Sequence, residues 1–120
     1  MKKTNKEVLE LNAGFQSCGN LKGIKFSYAI AKNLRGIKKE IETIQEATTK
    51  LQDEYARKDK KGEKIIIENN IEMKDRKKFD KAYEELMKIE NDITLHKIKQ
   101  KDLPSDISVQ QTTLIFDIIE

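Results

Sequence analysis

A chain of 120 residues fits one domain, 1–120. Its 37% hydrophobic and 38% charged residues make a lean core, against typical shares of about 45–50% and about 25%. The net charge of +3, with acids and bases interspersed, argues against nucleic acid, which would need a basic face. A single cysteine excludes an internal disulfide and suits a reducing compartment. No apolar run follows Lys2, Lys3 and Lys6 as a secretory signal requires, and no window approaches the ~20 apolar residues that span a bilayer. A soluble, intracellular protein with no membrane partner is the expectation.

In chain order, Thr4 and Glu7 have capping-box spacing, and Val8, Leu11, Phe15 and Cys18 then form one helical face. Gly14 inside this first helix costs about 1 kcal/mol relative to alanine. Gly19-Asn20 reads as a left-handed stop, with Gly23 closing the connection. Ile30, Leu34, Ile37, Ile41, Ile44, Thr48, Leu51 and Tyr55 then step alternately by four and three, which predicts one apolar stripe on a long helix. Tyr28 and Tyr55 are read as core or seam residues. Such a helix cannot stand alone in water, so the remaining chain must cover its stripe.

Arg57-Lys58-Asp59-Lys60-Lys61-Gly62 ends the helix in a charged loop. A β-hairpin is expected near 64–74: β-branched Lys64 to Glu68, a turn at Asn69-Asn70, then Ile71-Glu72-Met73. Asp75 suits an N-cap, and Phe79, Ala82, Leu86, Ile89 and Ile93 carry helical spacing over a segment Lys74 to Asn91. This helix and the first are each about half the central one, so both are expected to fold back antiparallel on it, at opposite ends. A short strand is expected near 93–98. Ser108 and Gln111 make a second capping box before a densely apolar tail, read as a C-terminal helix although 109–119 would also suit a strand. The fold class is therefore mainly α with a small β component (α+β).

The order of segments carries a resemblance. Phe26-Ser27-Tyr28-Ala29-Ile30-Ala31-Lys32-Asn33-Leu34 opens a long charged helix, and Tyr55 precedes an Asp59-to-Gly62 turn. Ile71-Glu72-Met73-Lys74-Asp75-Arg76-Lys77-Lys78-Phe79 and Glu85-Leu86-Met87 follow, before Leu95-His96-Lys97-Ile98, Asp102-Leu103-Pro104 and a short apolar end. From about Leu21 onward the chain resembles a family of small proteins of tailed phages and prophages whose function is unknown. The resemblance implies phage origin and expression in the host bacterial cytoplasm. It supplies no functional residues.

Reactive constellations are sparse. Cys18 on an apolar face reads as a buried structural thiol. His96 has no second imidazole, which excludes a multi-histidine metal site, and acids at helical spacing read as solvated faces. Glycines form no phosphate-binding fingerprint. Gly19 to Gly23, with Lys22 and Lys25, could hold an anion at a helix N-terminus, and the Arg57 to Lys61 run could contact an anion or an acidic partner, but an ordinary turn and a solvated loop explain them. No catalytic residue, metal or cofactor is assigned. The leading expectation is a non-enzymatic phage protein acting through self-association and contacts with a host or phage protein, in host-factor binding or virion assembly. The alternative is an anti-defence binder that sequesters a nucleotide immune signal between subunits, with Lys22, Lys25, Arg35, Arg57, His96, Lys97 and Lys99 as candidate ligand residues.

Overall fold

The computed structural model describes residues 1–120 as an elongated body of 57 × 28 × 21 Å. Its helices and strands are β1 (Lys2–Thr4), α1 (Asn5–Ser17), α2 (Ile24–Tyr55), β2 (Ile66–Ile67), β3 (Asn70–Ile71), α3 (Arg76–Met87), β4 (Glu90–Asp92) and α4 (Val109–Leu114). Short 3₁₀ turns cover Gln100–Asp102 and Phe116–Ile118. No helix is long and apolar enough to cross a membrane.

The periodic stripe does become one unbroken helix. Ile30, Ile37, Ile41 and Ile44 are buried, and the stripe extends back to Phe26 and Ala29. Toward the C-terminus, Thr48, Leu51 and Tyr55 are only half-buried. Two clusters explain the difference. The larger joins α2 to Val8, Leu11, Phe15 and Cys18 of α1 and to Ile93, Ile98, Ile115 and Ile118. The smaller, Ala56, Met73 and Phe79 with Leu51, Tyr55, Ile71 and Tyr83 at its edge, has fewer side chains to exclude water.

α1 and α3 divide α2 between them. The end of α1 is joined to the start of α2 by a short loop, while Asn5 at its beginning shares a hollow with Lys39, Thr43, Ala47 and Leu86. α3 starts beside the end of α2, where Phe79 meets Tyr55 edge-on at 6.3 Å, and finishes at that same hollow. Both therefore run antiparallel to α2 and abut at its middle. Buried Asn5 closes the joint: its Nδ2 donates to Leu86 O at 2.7 Å and its main-chain N–H to Ile89 O at 2.8 Å. Asn91 Nδ2 donates in turn to Asn5 Oδ1 at 2.7 Å.

The helix starts were legible in the sequence. Thr4 and Glu7 form the reciprocal cap, with Thr4 N–H to Glu7 Oε1 at 3.0 Å and Glu7 N–H to Thr4 Oγ1 at 3.2 Å. Asp75 accepts from Lys78 N–H, and Ser108 with Gln111 forms the second box. Several boundaries differ from expectation. Gly19-Asn20 is not left-handed; α1 closes on a tight turn, Cys18 N–H to Phe15 O, and the positive φ of 124° falls at Gly23. The hairpin turns at Glu68-Asn69, with φ of 51° and 67°, not at Asn69-Asn70. A two-residue turn needs positive φ at both centres, and Asn70 instead pairs with Ile67 in β3.

The segment after α3 also departs from expectation. α3 stops at Met87, before Asn91, and the strand is Glu90–Asp92 rather than 93–98. Its antiparallel partner is β1, Lys2↔Asp92 to Thr4↔Glu90, a strand that the polar sequence of both halves conceals. Residues 93–98 form no ladder beyond a single parallel bridge from Ile98 to Ile119. In the tail, α4 ends at Leu114 and a 3₁₀ turn follows, which places Ile115 and Ile118 in the core.

Gly14 has a packing reason. A Cβ there would lie 2.8 Å from Leu114 Cβ and 3.2 Å from its carbonyl, because α4 crosses α1 at this residue. Gly14→Ala should therefore destabilise by about 1–3 kcal/mol despite alanine's better helix propensity. Gly36→Ala on α2, whose Cβ would lie 3.9 Å from Thr94 O, should stabilise by about 0.5–1 kcal/mol. Thermal unfolding of the two variants reads the opposite signs. The Thr4 amide and hydroxyl hold the Glu7 carboxyl below its ordinary 4.5. Its cap is thus fully effective above that value and is lost as the pH falls through the lowered one. Urea titrations from about pH 6 down to about pH 3 should show Glu7→Gln losing less stability on acidification than the parent.

Candidate functional site

One groove that combines apolar, aromatic and charged side chains lies at the α1–α2 loop end of the molecule. A groove of about 390 Å³ runs between the first turns of α2 and the segment 96–102, lined by Ile24, Lys25, Tyr28, His96, Ile98 and Asp102 among others. Helical geometry explains the first wall. Ile24 and Tyr28 are four residues apart, one turn above the other, and rotated off the buried Phe26–Ala29–Ile30 face. Ile24 is 92% exposed and Tyr28 59%. The reading of Tyr28 as a core or seam residue is thus corrected: its ring stands outside the core, edge-on to His96 at 5.6 Å and 78°. Lys32 Nζ lies 5.8 Å from the same ring. Tyr55 does pack in a seam, against Phe79.

The second wall is tied to α2 by a buried amide. Asn33 sits 2% exposed on α2, its Nδ2 donating to His96 O at 3.0 Å and its Oδ1 accepting from His96 N–H at 2.7 Å. The pair imitates one rung of a β-ladder and sets which residues of 93–99 face α2. Ile98 completes the anchoring. Its N–H donates to Ile118 O at 2.7 Å and its carbonyl accepts from Glu120 N–H at 2.9 Å. The main-chain groups of Leu95 and Lys97 make no hydrogen bond within the chain.

Of the seven candidate ligand residues, four meet here: Lys25, His96, Lys97 and Lys99. Lys97 is already engaged, its ammonium donating to Asp117 O. Asp102 and Glu120 line the same groove, so its charge is mixed rather than cationic. Lys22 is exposed on the preceding loop outside the groove. Arg35 lines a neighbouring hollow with Tyr28, Ala31 and Lys32, on the other side of the Tyr28 ring from the groove's lysines. Arg57 lies beyond the far end of α2, roughly 45 Å away at 1.5 Å per residue, with its main chain bonded into the hairpin. One site therefore cannot use all seven within a single molecule. Sequence reasoning missed Ile24 and Tyr28, whose i, i+4 apolar pairing off the main stripe was the available signal.

Cys18 is 2% exposed at the end of α1, and burial pushes its thiol above the ordinary value, with the Ser17 hydroxyl 3.9 Å away opposing the shift. No three His, Cys, Asp or Glu side chains converge as metal ligands. The His96 ring hydrogen-bonds to no carboxylate that would orient it as a base. The arrangement suits recognition: an aromatic and an aliphatic side chain beside mixed charges, on a wall fixed by buried polar contacts. No family model, no curated protein and no solved structure matches the chain.

Asn33→Ala would strand the His96 N–H and C=O against α2, at about 1–3 kcal/mol for each group left unpaired. Amide exchange across 94–99 should accelerate well beyond that of α1 in this variant. Cys18 should resist a thiol-specific reagent in the native protein and react at the unfolded rate once denatured.

Proposed function

We propose that the protein is a non-enzymatic interaction protein of phage origin, acting in the infected bacterial cytoplasm by contact with a host protein or a virion component. The supporting observation is Ile24, an isoleucine 92% exposed on an ordered helix, with Tyr28 one turn on and a groove beside both. Removing such side chains from water is favourable by about 1.5–3 kcal/mol each, and a partner surface does so while the protein's own core does not. The groove suits an extended peptide segment. Ile24 and Tyr28 would take its apolar side chains, while Lys25, Lys99 and Asp102 beside them offer polar contacts.

An anti-defence role, sequestering a nucleotide immune signal, is the second reading. The convergence of Lys25, His96 and Lys99 beside the Tyr28 ring favours it. Asp102 and Glu120 would oppose a phosphate there, and Lys97 is occupied, so the protein-contact reading ranks first.

Capture from phage-infected lysate on the tagged protein, in parallel with Ile24→Asp, discriminates the readings. The expected result is a defined protein retained by the parent and lost at least ten-fold by Ile24→Asp, whose far-ultraviolet dichroism is unchanged. Equal retention by both, or none by either, would overturn the groove as a protein-contact site. Calorimetric titration with cyclic and linear nucleotides should give no heat at micromolar protein; a saturable signal would replace the first reading with the second.

A further inference from the structure

We propose that the outer edge of the strand around β2 pairs antiparallel with its counterpart in a second copy of this chain, joining two molecules at their hairpin ends. The hydrogen bonds define the edge. Ile65 N–H donates to Arg57 O at 3.0 Å, and Ile65 O accepts from Glu72 N–H at 2.8 Å. Ile67 pairs with Asn70 across the turn. Odd residues of 63–67 are thus bonded inward, to the residues leaving α2 and to β3. Alternation directs the main-chain groups of Lys64 and Ile66 the other way, and neither residue makes a main-chain hydrogen bond in the molecule.

This edge lacks the usual protection. Edges are ordinarily blunted by charge, proline or a bulge, whereas three consecutive isoleucines occupy 65–67. Ile66 is 65% exposed and Ile67 52%, so the ribbon presents apolar side chains on both faces. Lys64 would ordinarily repel a second strand, but it is neutralised within its own chain by Asp53 at 2.7 Å.

The pattern selects a second copy, and an antiparallel one. With a two-fold axis at Ile65, Lys64 stands opposite Ile66 of the second copy and Ile66 opposite its Lys64. All four outward main-chain groups of each strand are then matched, and Ile65 faces Ile65 of the second copy. Moving the axis to Ile66 places Lys64 beside Glu68 of the second copy, again without like charges. A parallel pairing would instead stack lysine on lysine and glutamate on glutamate, which is destabilising. The hairpin lies at the opposite end of α2 from the groove, so an end-to-end dimer leaves both grooves open. An edge this short buries less than the roughly 1,200–2,000 Å² of a stable interface, so association should be weak and concentration-dependent.

Sedimentation velocity from about 1 to about 300 μM tests the proposal, with the parent protein beside Ile66→Lys and Ile66→Pro. The parent should move from monomer to dimer across this range, and both variants should weaken association at least ten-fold. Amide exchange on the parent supplies a readout independent of any variant's folding. Protection of the Lys64 and Ile66 amides should rise with concentration, while the inward Ile65 and Glu72 amides stay protected throughout. A monomer at every concentration, a dimer indifferent to both substitutions, or Lys64 and Ile66 amides that never gain protection would each overturn it. Loss of dimerisation with lysate capture intact, or the reverse, separates this proposal from the groove reading.

Discussion

One apolar stripe longer than any single partner governs this molecule. α2 presents buried side chains from Phe26 to Ile44 and half-buried ones on to Tyr55, and isolated helices keep such a surface from water only by packing. The chain meets the demand with two half-length helices laid antiparallel from opposite ends, which creates a joint in the middle. At a joint, helix termini carry unsatisfied main-chain groups, and leaving them buried is costly. Asn5 resolves this by capping the end of α3 from the beginning of α1, and β1 with β4 closes over the same place. The small β component is therefore a seal required by the helical arrangement.

The second buried asparagine has a different consequence. Asn33 interrupts an otherwise apolar face, where an isoleucine would fit the periodicity. Its amide can be satisfied only by a main chain brought to a defined height along α2, and His96 is that main chain. Apolar contacts alone tolerate sliding; a two-point hydrogen bond does not. The height of 93–99 along α2, and hence the wall of the groove, is set by this polar side chain together with the main-chain bonds of Ile98 to the tail.

The two ends of the rod are chemically unlike. At the loop end, an aromatic ring, an exposed isoleucine and mixed charges stand on rigid supports, the arrangement expected of a recognition surface. At the hairpin end, a thin core of Ala56, Met73 and Phe79 supports a ribbon whose isoleucines are left outside. A rod that self-associates at one end and recognises a partner at the other would present two recognition surfaces at a fixed separation, raising avidity without new contacts.

What the sequence determined by itself was local. Spacing of three and four placed α1, α2 and the body of α3, and side-chain oxygens at Thr4, Asp75 and Ser108 marked their starts, because both signals depend only on neighbours within a turn. The antiparallel layout followed from relative lengths. Tertiary structure alone decided β1 with β4, since their residues have little strand preference and pair across nearly ninety positions. It decided that Gly14 is required by Leu114, that 93–98 is anchored to Asn33, and that Tyr28 faces outward beside His96. It also separated Arg57 from Lys25 while gathering Lys25, His96 and Lys99. Contacts between residues far apart in the chain leave no periodic trace, because their geometry is set by the packing of the elements between them.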